Sequence, residues 1–166
     1  MMPSPGRLLT ALLLTGLLLC GGWARAEQHW SSTSPQINLR HIFQGEINRH
    51  GKPTGFHSRP GGRDPEGAYV LHGESPPNRV GVYTARVAVR DGRGGPWREK
   101  FSSFFPDQFD REQVVAAILH AWQHRDSGKE QPWRGPSGHG FDIQGYLSPQ
   151  GGIQTAFPVY RKDRSP

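Results

Sequence analysis

The 166-residue chain holds a single cysteine, Cys20, with no second thiol to pair it. A disulfide framework and a cysteine-built zinc site are therefore excluded. No apolar run reaches the roughly 20 residues that a membrane-spanning helix needs. The longest runs only from Leu8 to Leu19. No five basic residues stand in a row, so there is no polybasic arm. Gly-x-Ser-x-Gly, Walker-type and dinucleotide-type glycine patterns are missing as usable motifs. The carboxylates are scattered, which leaves a paired-carboxylate glycosidase without support.

What is present begins as an export signal. Arg7 supplies the positive n-region, Leu8 to Leu19 the apolar core, and Ala24-Arg25-Ala26 a small-x-small cleavage site. Residues 1–26 are read as a signal peptide. Cys20 as a lipid anchor is the minor alternative, because Leu19 is large where a small residue is expected. Secretion or delivery to the periplasm follows, with no membrane attachment after cleavage. Cys20 leaves with the signal, and any thiol nucleophile with it. Arg7 and Arg25 leave too, so the formal charge falls from +6 to about +4 with neutral histidines. All eight histidines stay in the mature chain. A modest positive charge suits an anionic partner and, equally, plain solubility.

Residues 27–36 are polar and read as a flexible leader, and residues 37–162 as one domain of a size that supports a real core. Ile42, Phe43 and Ile47 are expected core positions. Residues 58–78 and 126–139 are rich in turn formers and read as loops, with a short strand at Tyr69-Val70-Leu71. From Val80 to Arg90 the chain alternates, with Tyr83, Ala85, Val87 and Val89 on one face. Residues 97–105 alternate again, with Trp97, Glu99 and Phe101 opposite Arg98, Lys100 and Ser102, and are expected to pair back as a hairpin. Asp110-x-x-Gln113 forms a capping box that opens a helix burying Val114, Val115, Ile118, Leu119 and Trp122. His120 and His124 lie on its solvated side. Spaced i, i+4, they suit a metal or simply an exposed face near a helix C-terminus. Residues 141–147 and 153–160 flank Ser148-Pro149-Gln150-Gly151-Gly152 and read as a closing hairpin. In its second arm Ile153, Thr155, Phe157 and Val159 share a face. The expected fold is a compact α+β domain, a twisted antiparallel β-sheet with a packed helix.

The chemistry concentrates between His41 and His57. Two imidazoles can serve as acid and base in one reaction near neutral pH. Arg49 and Lys52 between them, with Arg59 just beyond, favour an anionic ligand. A histidine pair with hydroxyl donors suits RNA cleavage by internal transfer. One ring takes the 2′-hydroxyl proton, the other protonates the leaving 5′ oxygen, and nearby donors stabilise the phosphoryl charge. The RNA brings its own nucleophile, so no metal is required.

His41-Ile42-Phe43-x-Gly45-Glu46-Ile47-Asn48, followed by Gly55-Phe56-His57-Ser58, closely resembles the bacterial EndoU-type endoribonuclease domain. Phe104-Phe105-Pro106 leading into the 114–121 helix resembles it as well, and so does Gly152-Ile153-Gln154-Thr155-Ala156-Phe157-Pro158. The resemblance spans about residues 37–160. Many bacterial members are toxin modules. The resemblance implies metal-independent or manganese-stimulated cleavage of single-stranded RNA to a 2′,3′-cyclic phosphate, on the fold shared with barnase-like and RelE-like nucleases. It implies His41 and His57 as the catalytic pair, with His57 the base and His41 the acid, although either ring could do either job. Viral and animal relatives add a lysine. Past Lys100 this chain has only Lys129 and Lys162, and neither matches. Bacterial members place a hydroxyl and a tyrosine on the last strands instead, here Thr155 and Tyr160. Lys52, Arg59 and Arg49 are candidate contacts to backbone phosphates. A monomer is expected, with RNA as partner and, for a toxin, a cognate immunity protein. Two other readings are weighed against this one. The first is a non-catalytic RNA- or polyanion-binding module on the same fold. The second is a small histidine-metal protein, for which no carboxylate-plus-histidine cluster has ligand spacing.

Overall fold

The computed structural model describes residues 29–92, 94–128 and 131–164. The signal segment, Cys20 and Lys129 lie outside the described residues. In chain order the elements are helix α1 (Leu39–Phe43), strands β1 (Glu46–Ile47), β2 (Pro53–Thr54), β3 (Ala68–Ser75), β4 (Tyr83–Val89) and β5 (Arg98–Phe104), helix α2 (Arg111–Gln123), and strands β6 (Trp133–Pro136), β7 (Asp142–Leu147) and β8 (Ile153–Pro158). This is an α+β architecture with three small antiparallel sheets: β1-β2, β3-β4-β5 and β6-β7-β8. The single sheet expected from the sequence is thus divided. The β1-β2 pair joins the core of β3-β4-β5 through Ile47, while β6-β7-β8 packs against α2.

The alternation of β4 places Tyr83, Ala85, Val87 and Val89 inward, all buried. With Phe56 and Phe104 they form the smaller of two cores. Tyr83 stacks on Phe104 at 5.0 Å between ring centroids, and Phe56 meets Phe104 edge-on at 5.1 Å. The larger core lies between α2 and the β6-β7-β8 sheet, with Ile37, Ile42 and Phe43 from the N-terminal end. The α2 start is the expected capping box. Asp110 accepts from Gln113 N–H, and the Gln113 side chain accepts from Asp110 N–H.

Two local readings change. The polar stretch 126–139 contains β6, anchored by the fully buried Trp133. One indole in a run of turn residues carries enough apolar area to fix a short strand. Residues 29–36 lie against the domain: Trp30 bridges to Asn38, Ile37 bridges to Ile153, and the Ser31 hydroxyl accepts from the Ile37 N–H at 2.8 Å.

Candidate active site

The two histidines are set in place by one backbone network. Asn38 caps α1 by accepting from the His41 N–H at 3.0 Å. At the other end of this short helix the carbonyls of His41 and Ile42 have no helical partner, as at any helix terminus. They accept instead from Phe56 N–H and His57 N–H, both at 2.8 Å. The approach is tight. A Cβ on Gly55, whose φ is +73°, would stand 2.2 Å from the His41 carbonyl oxygen. Phe56 follows with φ 60°, a left-handed conformation unusual for a large side chain. Its ring is fully buried in the smaller core, which holds the backbone there. The chain then continues straight into His57, whose carbonyl accepts from Phe105 N–H at 2.8 Å.

The rings of His41 and His57 come within 6.1 Å, tilted 35°. They line a cleft of about 370 Å³ between β5 and β8, together with Lys100, Ser102, Thr155 and Phe157. Their surroundings differ in a way that separates their roles. His41 Nδ1 lies 2.8 Å from a Glu46 carboxylate oxygen. The hydrogen bond with His41 holds the Glu46 carboxyl below its ordinary range. His57 is buried, and its Nδ1 faces the Ser103 carbonyl at 3.0 Å and the Ser102 hydroxyl at 3.0 Å. A carbonyl only accepts, and Ser102 already donates its proton to the Phe56 carbonyl at 2.6 Å. Nδ1 of His57 must therefore carry the hydrogen, which leaves the lone pair of the neutral ring on Nε2. Burial above all, then the positive charges of Lys100 and His41, push the His57 pKa well below its usual value. Phe157 packs on this ring at 5.3 Å and helps exclude water.

Lys100 is the cleft residue that sequence reasoning left out of the candidate site. The lysine expected from viral and animal relatives was sought beyond Lys100, whereas Lys100 itself stands in the cleft. It lies opposite Val87 in the β4-β5 register, on the face that otherwise packs inward. Its ammonium donates to the Gly55 carbonyl at 2.8 Å and to the Ser102 hydroxyl at 3.1 Å. Burial lowers its pKa from 10.5 to about 8. Its strand face reads Arg98, Lys100, Ser102 and Phe104, so the alternation of β5 alone did not mark the lysine for burial.

Thr155 reaches the cleft through a local irregularity. Tyr146 pairs with Thr155, yet the next residue, Leu147, pairs with Ile153, so Gln154 is an extra residue in β8. The extra residue reverses the sidedness that follows it. Ile153 and Ala156 therefore face the large core, while Thr155 and Phe157 face the cleft. The stripe read from the sequence, with Thr155 among apolar neighbours of one face, is split at this point. The buried Thr155 hydroxyl oxygen has no hydrogen-bond partner among the described residues.

The other candidates sit elsewhere. Tyr160 follows β8, packs on the large core and is not among the residues lining the cleft. Arg59 is engaged internally, with Asp64 at 2.7 Å, the Gly62 carbonyl at 2.6 Å and Asp107 at 3.6 Å. Arg49 and Lys52 lie exposed on the turn joining β1 to β2, whose Pro53 and Thr54 form one wall of the cleft. Lys162 is exposed in the C-terminal segment. His120 and His124 stack at 4.1 Å on the outside of α2, and among the described residues no three His, Cys, Asp or Glu gather to hold a metal ion.

An α+β domain thus presents two histidines in unlike surroundings and a half-buried lysine in one cleft, groups able to exchange protons with a bound substrate. The family model for bacterial EndoU nuclease matches residues 35–160, and the chain belongs to that family. Its sequence is also 32% identical over 132 residues to a protein of Bacillus cereus (strain ATCC 14579) named Toxin, a match covering 80% of this chain and 24% of that protein. The chain thus spans about a quarter of the length of this curated relative. No solved structure matches.

Proposed function

We propose that this nuclease is an exported endoribonuclease that cleaves single-stranded RNA by internal transfer, leaving a 2′,3′-cyclic phosphate and a 5′-hydroxyl. His57 Nε2 accepts the proton of the 2′-hydroxyl. The oxygen attacks the adjacent phosphorus, and His41, oriented through Nδ1 by Glu46, gives a proton to the departing 5′ oxygen. Lys100 is still largely protonated at pH 7 and stabilises the charge gathering on the phosphoryl oxygens, in a cleft where little water competes. The unpartnered Thr155 hydroxyl donates to a phosphoryl oxygen or a base edge.

The observation that carries this reading is the pairing of unlike environments. One ring is held neutral by burial and the other is held against a carboxylate, and the 6.1 Å between them leaves room for one phosphoryl group. A binding module would have no use for two histidines set in such unlike surroundings across one cleft. The named relative supports a toxin role, with an immunity protein as the corresponding partner.

The test uses residues 27–166, wild type, His41→Ala and His57→Ala, each checked for folding, on a labelled single-stranded RNA in EDTA. Cleavage by wild type alone, with a cyclic phosphate end, is the expected result. A well-folded wild type that leaves RNA intact, with or without manganese, would overturn the proposal in favour of a non-catalytic RNA-binding domain.

A further inference from the structure

The outer face of the β3-β4-β5 sheet carries aromatic side chains that the core does not explain. Phe101 is 55% exposed, Trp97 42% and Tyr69 36%. Trp97 and Phe101 are in phase on the outward side of β5, about 13 Å apart at 3.3 Å per residue. Tyr69 meets Trp97 edge-on at 4.8 Å, and the Arg90 guanidinium lies 4.5 Å over the Trp97 ring. Scattered exposed apolar residues are ordinary. This row differs because its end is already in the candidate active site: Phe101 lines the cleft that holds both histidines and Lys100.

Resting on the endoribonuclease reading, we infer that this face is the outer part of the substrate site. A single-stranded RNA leaving the cleft stacks a base next to the cleaved bond on Phe101 and a more distant base on Trp97. Aromatic rings bind unpaired bases of any sequence by stacking. The charges on this face point the same way. Arg86, opposite Phe101 in the register, is 3.7 Å from Glu74, and Glu99 lies between the two rings. Arg86 is thus offset by Glu74 and Arg90 is engaged on the Trp97 ring, so stacking holds the strand here and a general attraction for polyanions does not.

The experiment measures KM and kcat on a dinucleotide and on a longer single strand, in EDTA, for wild type, Phe101→Ala, Phe101→Leu, Phe101→Trp and Trp97→Ala. Thermal unfolding confirms that each variant is folded. Phe101→Ala and Phe101→Leu should raise KM on both substrates by roughly tenfold with kcat little changed, whereas Phe101→Trp keeps the wild-type value. Trp97→Ala should raise KM on the longer strand alone. The salt dependence of KM should be the same in all variants, since no cation is removed. If wild type cleaves both RNAs and the Phe101 and Trp97 variants match it on both, the inference is wrong, and the aromatic face serves a protein partner. If wild type cleaves neither, the endoribonuclease reading has failed first.

Discussion

Lys100→Met separates a functional lysine from a structural one. Methionine keeps the length and most of the volume of the side chain while removing the ammonium. The fall of the Lys100 pKa from 10.5 to about 8 means that the charged form costs roughly 3 kcal/mol more here than in water. Against that gain, the variant loses the hydrogen bonds to the Gly55 carbonyl and the Ser102 hydroxyl, with a loss of about 1 kcal/mol for each. The balance predicts a variant as stable as wild type at pH 7, or more stable by about 1 kcal/mol. The pH dependence carries the sign. Above pH 8 the native lysine releases its proton, while the unfolded chain keeps its own until about 10.5. Wild type therefore gains stability between those values and the methionine variant does not, so the advantage of the variant shrinks across this window. Activity should fall by about 10²–10³, as when one preorganised stabilising donor is removed from an active site. Urea unfolding at pH 7 and at pH 9.5, with RNA cleavage rates on the same samples, measures all three quantities. A variant that loses more than about 2 kcal/mol at pH 7 yet cleaves RNA at the wild-type rate would refute the argument, because Lys100 would then be a strut and the desolvation balance wrong.

His57 is held neutral by burial, so the acid limb of the kcat/KM profile should fall below pH 6.5. As pH drops through 6.5 the unfolded chain takes up a proton that the native ring refuses, so wild type loses stability there while His57→Gln does not. An acid limb above pH 7 would mean that the ring is open to water. Gly55→Ala drives a Cβ against the His41 carbonyl in a left-handed residue, and should cost more than about 2 kcal/mol or prevent folding, read by thermal unfolding. Thr155→Val keeps the shape and removes a hydroxyl that bonds nothing among the described residues. Stability should be unchanged or higher while RNA cleavage falls by tenfold or more, and equal cleavage would show that the hydroxyl is idle.

The parts of the fold legible in the sequence were those governed by local chemistry. The α2 capping box, the inward face of β4, the β4-β5 hairpin and the closing β7-β8 hairpin follow from periodicity and turn residues. β6 was read as a loop because its four residues carry no alternation long enough to register, and the long-range burial of Trp133 decides it. At the site, His41 and His57 stood out by residue type and by resemblance. Glu46 belonged to the same motif, but its role appears only when the ring meets the carboxylate. Lys100 was visible as a strand residue, and its neighbours showed which face it shared. The distance to the histidines was not visible, because it is set by the backbone network that joins α1 to residues 55–57. Thr155 was legible as a hydroxyl in an apolar stripe, whereas the side it faces depends on a ladder irregularity that period-two counting cannot register.

That irregularity makes the chemistry of β8 a matter of counting. Ile153 and Thr155 stand two apart in the sequence yet face opposite sides, because the one unmatched position, Gln154, lies between them. Deleting Gln154 would change no functional side chain and no apolar content. It would leave a regular ladder, because Ile153 opposite Leu147 and Thr155 opposite Tyr146 are already consecutive pairs across β7, so the hydroxyl keeps the cleft side and Ala156 the core side. A residue lost from a matched position of β8 would find no spare position to absorb it, so this strand holds one codon it can lose beside several it cannot.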